Sequence, residues 1–173
     1  MKNIIIYIFL LLTYSSIAIA DQKIVYIDID YIITNSIAGK QINNHLANIK
    51  NSTIDEFKNI EKNLKDKEKN ILAKKNIIDE NKYKLEVSAI NQELKSYNDK
   101  RLKFAKSFEQ KKINFTKIIL ETLNPIISEY VNKNKIGLVL PKKNIIVGKK
   151  KLDITSIIIE DLNNKLKTIN FNE

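Results

Sequence analysis

Apolar residues recur through residues 40–124 at alternating steps of four and three, in a stretch that holds no Gly and no Pro. The second half of the series reads Tyr83, Val87, Ile90, Leu94, Tyr97, Arg101, Phe104, Phe108, Lys111, Phe115 and Ile118, broken only by Arg101 and Lys111. The first half reads Leu46, Ile49, Thr53, Phe57, Ile60, Leu64, Lys67, Ile71, Lys74 and Ile78, with one slip of phase around Thr53. A repeat near 3.5 residues is the narrow seam of helices packed on helices, not the wide face of a globular helix. The two halves also mirror each other about a point between Glu80 and Asn81. Folding back at Asp79-Glu80-Asn81-Lys82 makes facing layers of Phe57 with Phe104, Leu64 with Tyr97, Ile71 with Ile90, and Ile78 with Tyr83. Lys67, Lys74 and Arg101 then face apolar partners, where their methylene stems can lie along the seam. The competing arrangement is one unbroken helix. It would place Asn81 or Lys82 on the seam, whereas the phase jumps by five to Tyr83. Asp and Asn favour turns, so the pattern favours the hairpin, with its tip near 79–82.

The flanks carry a different pattern. Lys23-Ile-Val-Tyr-Ile-Asp-Ile29 is β-branched and aromatic, which predicts a strand. Tyr31-Ile-Ile then leads to Thr34, Asn35 and Ser36 as N-cap candidates for a helix from Ile37. Pro125 falls within a helical pattern and should kink that helix or start a new one. Gly137 to Leu140 predicts a second strand, Pro141-Lys142-Lys143 a turn, and Asn144 to Val147 a third strand. Asp153 or Thr155 can cap a last helix, Ser156 to about Leu166. The expected fold is therefore α+β: a small three-stranded body, 21–41 and 119–173, into which a long antiparallel coiled-coil hairpin, 42–118, is inserted. Its expected core is Ile24, Val25, Ile27, Leu138, Val139, Ile145 and Val147. Such a core is thin, and three strands leave two open edges, so the body should pair with copies of itself.

The first 20 residues read as a targeting signal. Lys2 precedes the apolar run Ile4 to Leu12, and Ala18-Ile19-Ala20 has the small-x-small pattern of a signal peptidase site. Cleavage after Ala20 would leave Asp21 as the first mature residue; an uncleaved N-terminal anchor is the alternative. Export removes functions that depend on a nucleotide pool or a chromosome. Net charge is +10 and Cys is absent, so no disulfide can support the fold. The abundance of Lys, Asn and Ile has the look of a compositional bias, which weakens any single Lys as a signal.

Chemistry is sparse. Asp28 and Asp30 flank Ile29 as alternating strand residues would, with no acid–base constellation around them. His45 is the only histidine, more consistent with a surface residue than a metal ligand. No Gly-rich phosphate loop and no Cys nucleophile is present, so neither an enzyme nor a cofactor is expected.

Several pieces resemble the Skp/OmpH family of periplasmic chaperones. Lys23-Ile-Val-Tyr-Ile-Asp is similar to that family's opening strand. Leu123-Asn-Pro-Ile-Ile and Lys135-Ile-Gly-Leu-Val-Leu resemble its helix-to-strand segment after the arm, and Leu152-Asp-Ile-Thr its final helix start. The order of these pieces and the mirrored heptads between them strengthen the resemblance. It implies a periplasmic homotrimer joined through the body, with three arms around a cavity that holds unfolded outer-membrane proteins without nucleotide or metal. It also admits anionic lipid or lipopolysaccharide as a partner, although the family's lipopolysaccharide-binding residues find no counterpart here. Ile77, Tyr83 and Leu85, with Lys82 and Lys84, are the client-contact candidates near the tip. The alternatives are a periplasmic coiled-coil structural or adaptor protein of the envelope, and a nucleic-acid binder. The latter rests on charge alone and lacks a recognition motif, so no specific nucleic acid is expected.

Overall fold

The computed structural model describes residues 22–171; the expected signal and its cleavage site, Ala18, Ala20 and Asp21, lie outside them. The elements are β1 (Lys23–Ile27), α1 (Ile29–Asn35), α2 (Ile37–Lys74), α3 (Glu80–Lys133), β2 (Ile136–Pro141) and α4 (Thr155–Lys165), with single 3-10 turns at Lys142–Asn144 and Lys150–Leu152. β1 and β2 pair in parallel, with Val25 opposite Val139 and Tyr26 opposite Leu140. A parallel pair needs a crossover connection. Here α1, α2 and α3 together form that crossover, so the long helices are inserted into the body between its two strands.

Alternation sorts β1 into an inner face, Val25 and Ile27, both buried, and an outer face, Ile24 and Tyr26. The inner face packs on Ile32 of α1, Ile119, Leu123 and Ile126 of α3, and Ile158 and Leu162 of α4. The core continues into the root of the long helices through Ile42, Leu46 and Phe115. The expected strand Lys23–Ile29 ends two residues early because Asp28 caps a helix: its Oδ1 accepts from Tyr31 N at 2.9 Å. α1 meets α2 at a tight elbow. Ser36 is fully buried and its Oγ accepts from Gly39 N at 3.0 Å. Gly39 is required there, since a Cβ would stand 1.8 Å from the Ile33 carbonyl oxygen.

The sheet has two strands among the described residues, not three. The Asn144–Val147 segment begins in a 3-10 turn and does not join the sheet, although its β-branched run reads as a strand. A strand exists only against a partner edge. The outer edge of β1 is held instead by Asp153 in a single parallel bridge, with Ile154 N donating to the Tyr26 carbonyl at 3.0 Å. Ile145 is consequently only half-buried and Val147 is exposed, and Ile24 and Leu138 lie on the open outer face. Of the expected core, Ile24, Leu138, Ile145 and Val147 therefore do not belong to the core of the single chain. Pro125 lies inside α3, which runs through it from Glu80 to Lys133 without a break in assignment.

Candidate functional site

The long helices α2 and α3, of 38 and 54 residues, lie against each other beyond the body. Their shared surface has one buried cluster, Leu64, Ile90 and Tyr97, joined by Phe57, Ile60 and Ile71. Phe57 meets Tyr97 and Phe104 edge-on, at ring centroid distances of 5.7 and 5.9 Å. Phe104, Ile78 and Tyr83 are half-buried. The turn occupies residues 75–79, slightly earlier than the 79–82 expected, and the Asp79 side chain caps α3 by accepting from Asn81 N at 2.8 Å. The layers are unaffected, because the seam phase rather than the turn sets which residues meet.

The intruding cations are not merely snorkelling. Lys67 Nζ bonds Glu93 at 2.7 Å and Lys74 Nζ bonds Glu86 at 3.2 Å, each pair crossing from α2 to α3. Both pairs are largely exposed and each is worth little alone, roughly 0–1 kcal/mol. Tyr97 is the polar member of the buried cluster. Its hydroxyl donates to Glu61 of α2, and the Arg101 guanidinium lies 5.6 Å from its ring centroid. Burial first, and the Glu61 carboxylate second, push the Tyr97 phenol above its usual pKa. A bonded pair at one layer favours a single register of the two helices.

The residues nominated near the tip are divided by the structure. Ile77 and Leu85 are 80% and 71% exposed and available for contact. Lys82 is exposed, whereas Lys84 bonds Glu80 at 2.7 Å and Tyr83 packs partly into the seam. A second charged region escaped notice in the sequence. Residues 95–117 of α3 carry eight Lys or Arg against two acids, Asp99 and Glu109. Among the described residues, only Lys117 of these cations forms an ion pair, with Glu121 at 3.6 Å. Leu102 and Ile113 are exposed within this cationic band. The general abundance of Lys hid it; the signal was the local scarcity of acids.

The body presents its own open surface. Ile24 and Leu138, opposite each other in the sheet, are 47% and 49% exposed, while Val139 is half-buried. Ile146 and Val147 are 99% and 88% exposed beside them in sequence order after β2. At the carboxyl ends of the strands, Lys142 lies 3.1 Å from Asp153 and 3.9 Å from Asp28. Lys143 approaches Asp30 at 4.0 Å. Asp28 and Asp30 therefore belong to a helix cap and to ion pairs, not to an alternating strand face. Burial pushes the Asp153 carboxyl up, but bonds from Thr155 and the Lys142 ammonium outweigh it and leave it below the usual carboxylate range. Lys142 is correspondingly raised, chiefly by its bond to Asp153. No group of acidic, His or Cys side chains suited to a metal occurs among the described residues, and no described helix is long and apolar enough to cross a membrane.

A model of the family described as "Outer membrane protein (OmpH-like)" matches residues 23–162. Among solved structures, one from Caulobacter crescentus CB15, a protein described as an OmpH-like outer membrane chaperone, superposes with a TM-score of 0.80 at 18% identity. The alignment covers 89% of this chain and 91% of that one. No curated protein matches the chain.

Proposed function

The chain belongs to the OmpH-like outer membrane protein family, and from that premise we propose that it is an ATP-independent holdase of the periplasm, a homotrimer whose arms hold unfolded outer-membrane β-barrel proteins. The observation that carries the proposal is the pair of solvent-exposed helices with a cationic band and exposed apolar side chains, Leu102, Ile113, Ile77 and Leu85. An unfolded β-barrel precursor exposes alternating apolar side chains and unpaired strand edges, and it aggregates readily. Many weak contacts with an open surface suit such a client. Unpaired cations would speed and tighten the capture of acidic segments, more so at low salt. The exposed outer sheet face and Ile146 and Val147 support assembly of copies through the body. The family and the charge also leave anionic lipid or lipopolysaccharide as a further partner.

The test is suppression of light scattering by an unfolded outer-membrane protein at low salt. It compares the full mature chain with a short-armed variant that joins residue 50 to residue 111 by a turn. That junction keeps Leu46 and Phe115, which belong to the body core. The full chain should suppress scattering at one trimer per client and the short-armed variant should not. Equal suppression by both would refute holding by the arms. Failure of the full chain with several unrelated precursors, together with fixed-stoichiometry binding of one folded envelope protein, would establish the adaptor role instead.

A further inference from the structure

The described chain does not end with α4. Leu166 closes that helix, and residues 167–171 continue across the root of the two long helices. Gln41 of α2 holds this tail at two backbone points: its Nε2 donates to the Lys167 carbonyl at 2.9 Å, and its Oε1 accepts from Ile169 N at 3.1 Å. Ile169 is buried in the core. One turn further along α2, the His45 ring stacks on Phe171 with centroids 4.1 Å apart and planes 18° apart. Phe115 of α3 meets Phe171 edge-on at 5.4 Å and His45 at 5.9 Å. His45 is thus half-buried in an aromatic cluster and not a plain surface residue.

These contacts have a common geometry. Gln41 and His45 belong to α2 and Phe115 to α3, so one short segment touches both helices where they leave the body. Just before the tail, Asn163 of α4 accepts from Ile37 N at 2.7 Å at the start of α2, and Lys165 bonds Glu129 of α3 at 3.3 Å. The tail lies beyond residues 23–162, which the family model matches.

We propose that residues 167–171 are a strap that stiffens the arm root and sets how far the arm swings from the body. Removing the strap takes Ile169 out of the core, uncovers the Phe115 ring and leaves the Gln41 side-chain amide without its two backbone partners, yet it leaves the sheet, α4 and the Leu64–Ile90–Tyr97 cluster in place. Its effect should therefore be local. The consequence for clients rests on the holdase reading, but the motion itself does not, and it is measured without any client.

The chain has no cysteine, so two introduced cysteines, Lys75→Cys at the turn and Lys151→Cys in the body, can carry spin labels without interference. The label distances should be read with the labelled chain diluted in unlabelled chain. Three backgrounds are compared: the full chain, a chain ended after Leu166, and Gln41→Ala with Phe171→Ala. Amide exchange is followed in parallel. In both altered chains the distance distribution should broaden, and exchange in 42–48 and 111–117 should rise roughly tenfold or more. Exchange around Leu64, Ile90 and Tyr97 should stay as it was. Unchanged root exchange and an unchanged distribution would overturn the strap. So would loss of protection throughout the body in the Gln41→Ala, Phe171→Ala chain, because the tail would then be an integral part of the core.

Discussion

Ile146 and Val147 offer a clean test of assembly because the single chain makes almost no use of them. At 99% and 88% exposure they contribute next to nothing to the fold of one copy. Replacing both by Asp should change that stability by no more than about 0.5 kcal/mol, as for other surface substitutions. If they are covered by neighbouring copies, the expectation reverses. Full burial of an Ile or Val side chain is worth roughly 1.5–3 kcal/mol, so the pair would contribute about 3–6 kcal/mol per copy to assembly. A carboxylate placed at such a contact adds a desolvation cost of several kcal/mol more. Since about 1.4 kcal/mol is tenfold, the loss should raise the dissociation constant at least about a hundredfold.

Sedimentation equilibrium over a wide concentration range reads that change directly. Circular dichroism of the dissociated double variant should show undiminished helix content. Two results would refute the reasoning. An unchanged dissociation constant would mean that these side chains remain open in the assembly. Loss of helix in the dissociated variant would mean that they stabilise the single chain in a way their exposure denies. A charge at Val139 is less informative, because that residue is already half-buried and pairs with Val25 within the chain.

Leu64→Ala should cost about 2 kcal/mol or somewhat more, at the low end for a buried leucine because the seam is open on both sides. Amide exchange should rise in the middle of the arm with the body unaffected; equal loss in both would mean that arm and body unfold as one unit. The Asp153 carboxyl is lowered in the folded chain, so its stabilisation is present above the unfolded pKa and fades as pH falls through the folded value. The melting-temperature gap between the wild-type chain and Asp153→Asn should therefore be full near pH 6 and narrow below about pH 4; a gap independent of pH would contradict the ion-pair account.

Much of the arm was legible because a seam repeats: each layer is a fresh instance of the same signal, so Phe57, Leu64, Ile90 and Tyr97 could be paired across the turn. The body repeats nothing. Alternation identified Val25 and Ile27, but the burial of Ile32, Ile119 and Ile158 depends on three helices converging on one sheet face, which no local period encodes. α1 was concealed by the β-branched run Ile24 to Ile29, which masks Asp28 as a cap. The Asn144–Val147 segment has the composition of a strand but pairs with neither strand in one chain. The tail was invisible for the opposite reason. Ile169 and Phe171 are two apolar residues in a polar run, and only the position of Gln41 and His45 on a facing helix turns them into a contact.

If the arms hold clients without ATP as proposed, the uneven distribution of burial along them bears on how that could work. Beyond Leu46 and Phe115 at the root, the interior of the arm is Leu64, Ile90 and Tyr97, fixed in register by the Glu61 contact and by exposed ion pairs at Lys67 and Lys74. Such a seam keeps two helices together but reserves little apolar surface for a partner. A client would meet single exposed side chains such as Leu102 and Ile113, separated by lysines. Each apolar contact of that kind contributes at most a few kcal/mol, and each exposed charge contact about 1 kcal/mol or less. Affinity must then come from number, and number makes release gradual: a client that begins to fold withdraws its apolar residues one at a time, with no single tight site to vacate. A deep apolar pocket would bind more tightly per contact and release more slowly. If the arms hold clients as proposed, control of holding lies in how many contacts can form at once, which would depend on how the arms are positioned at the root.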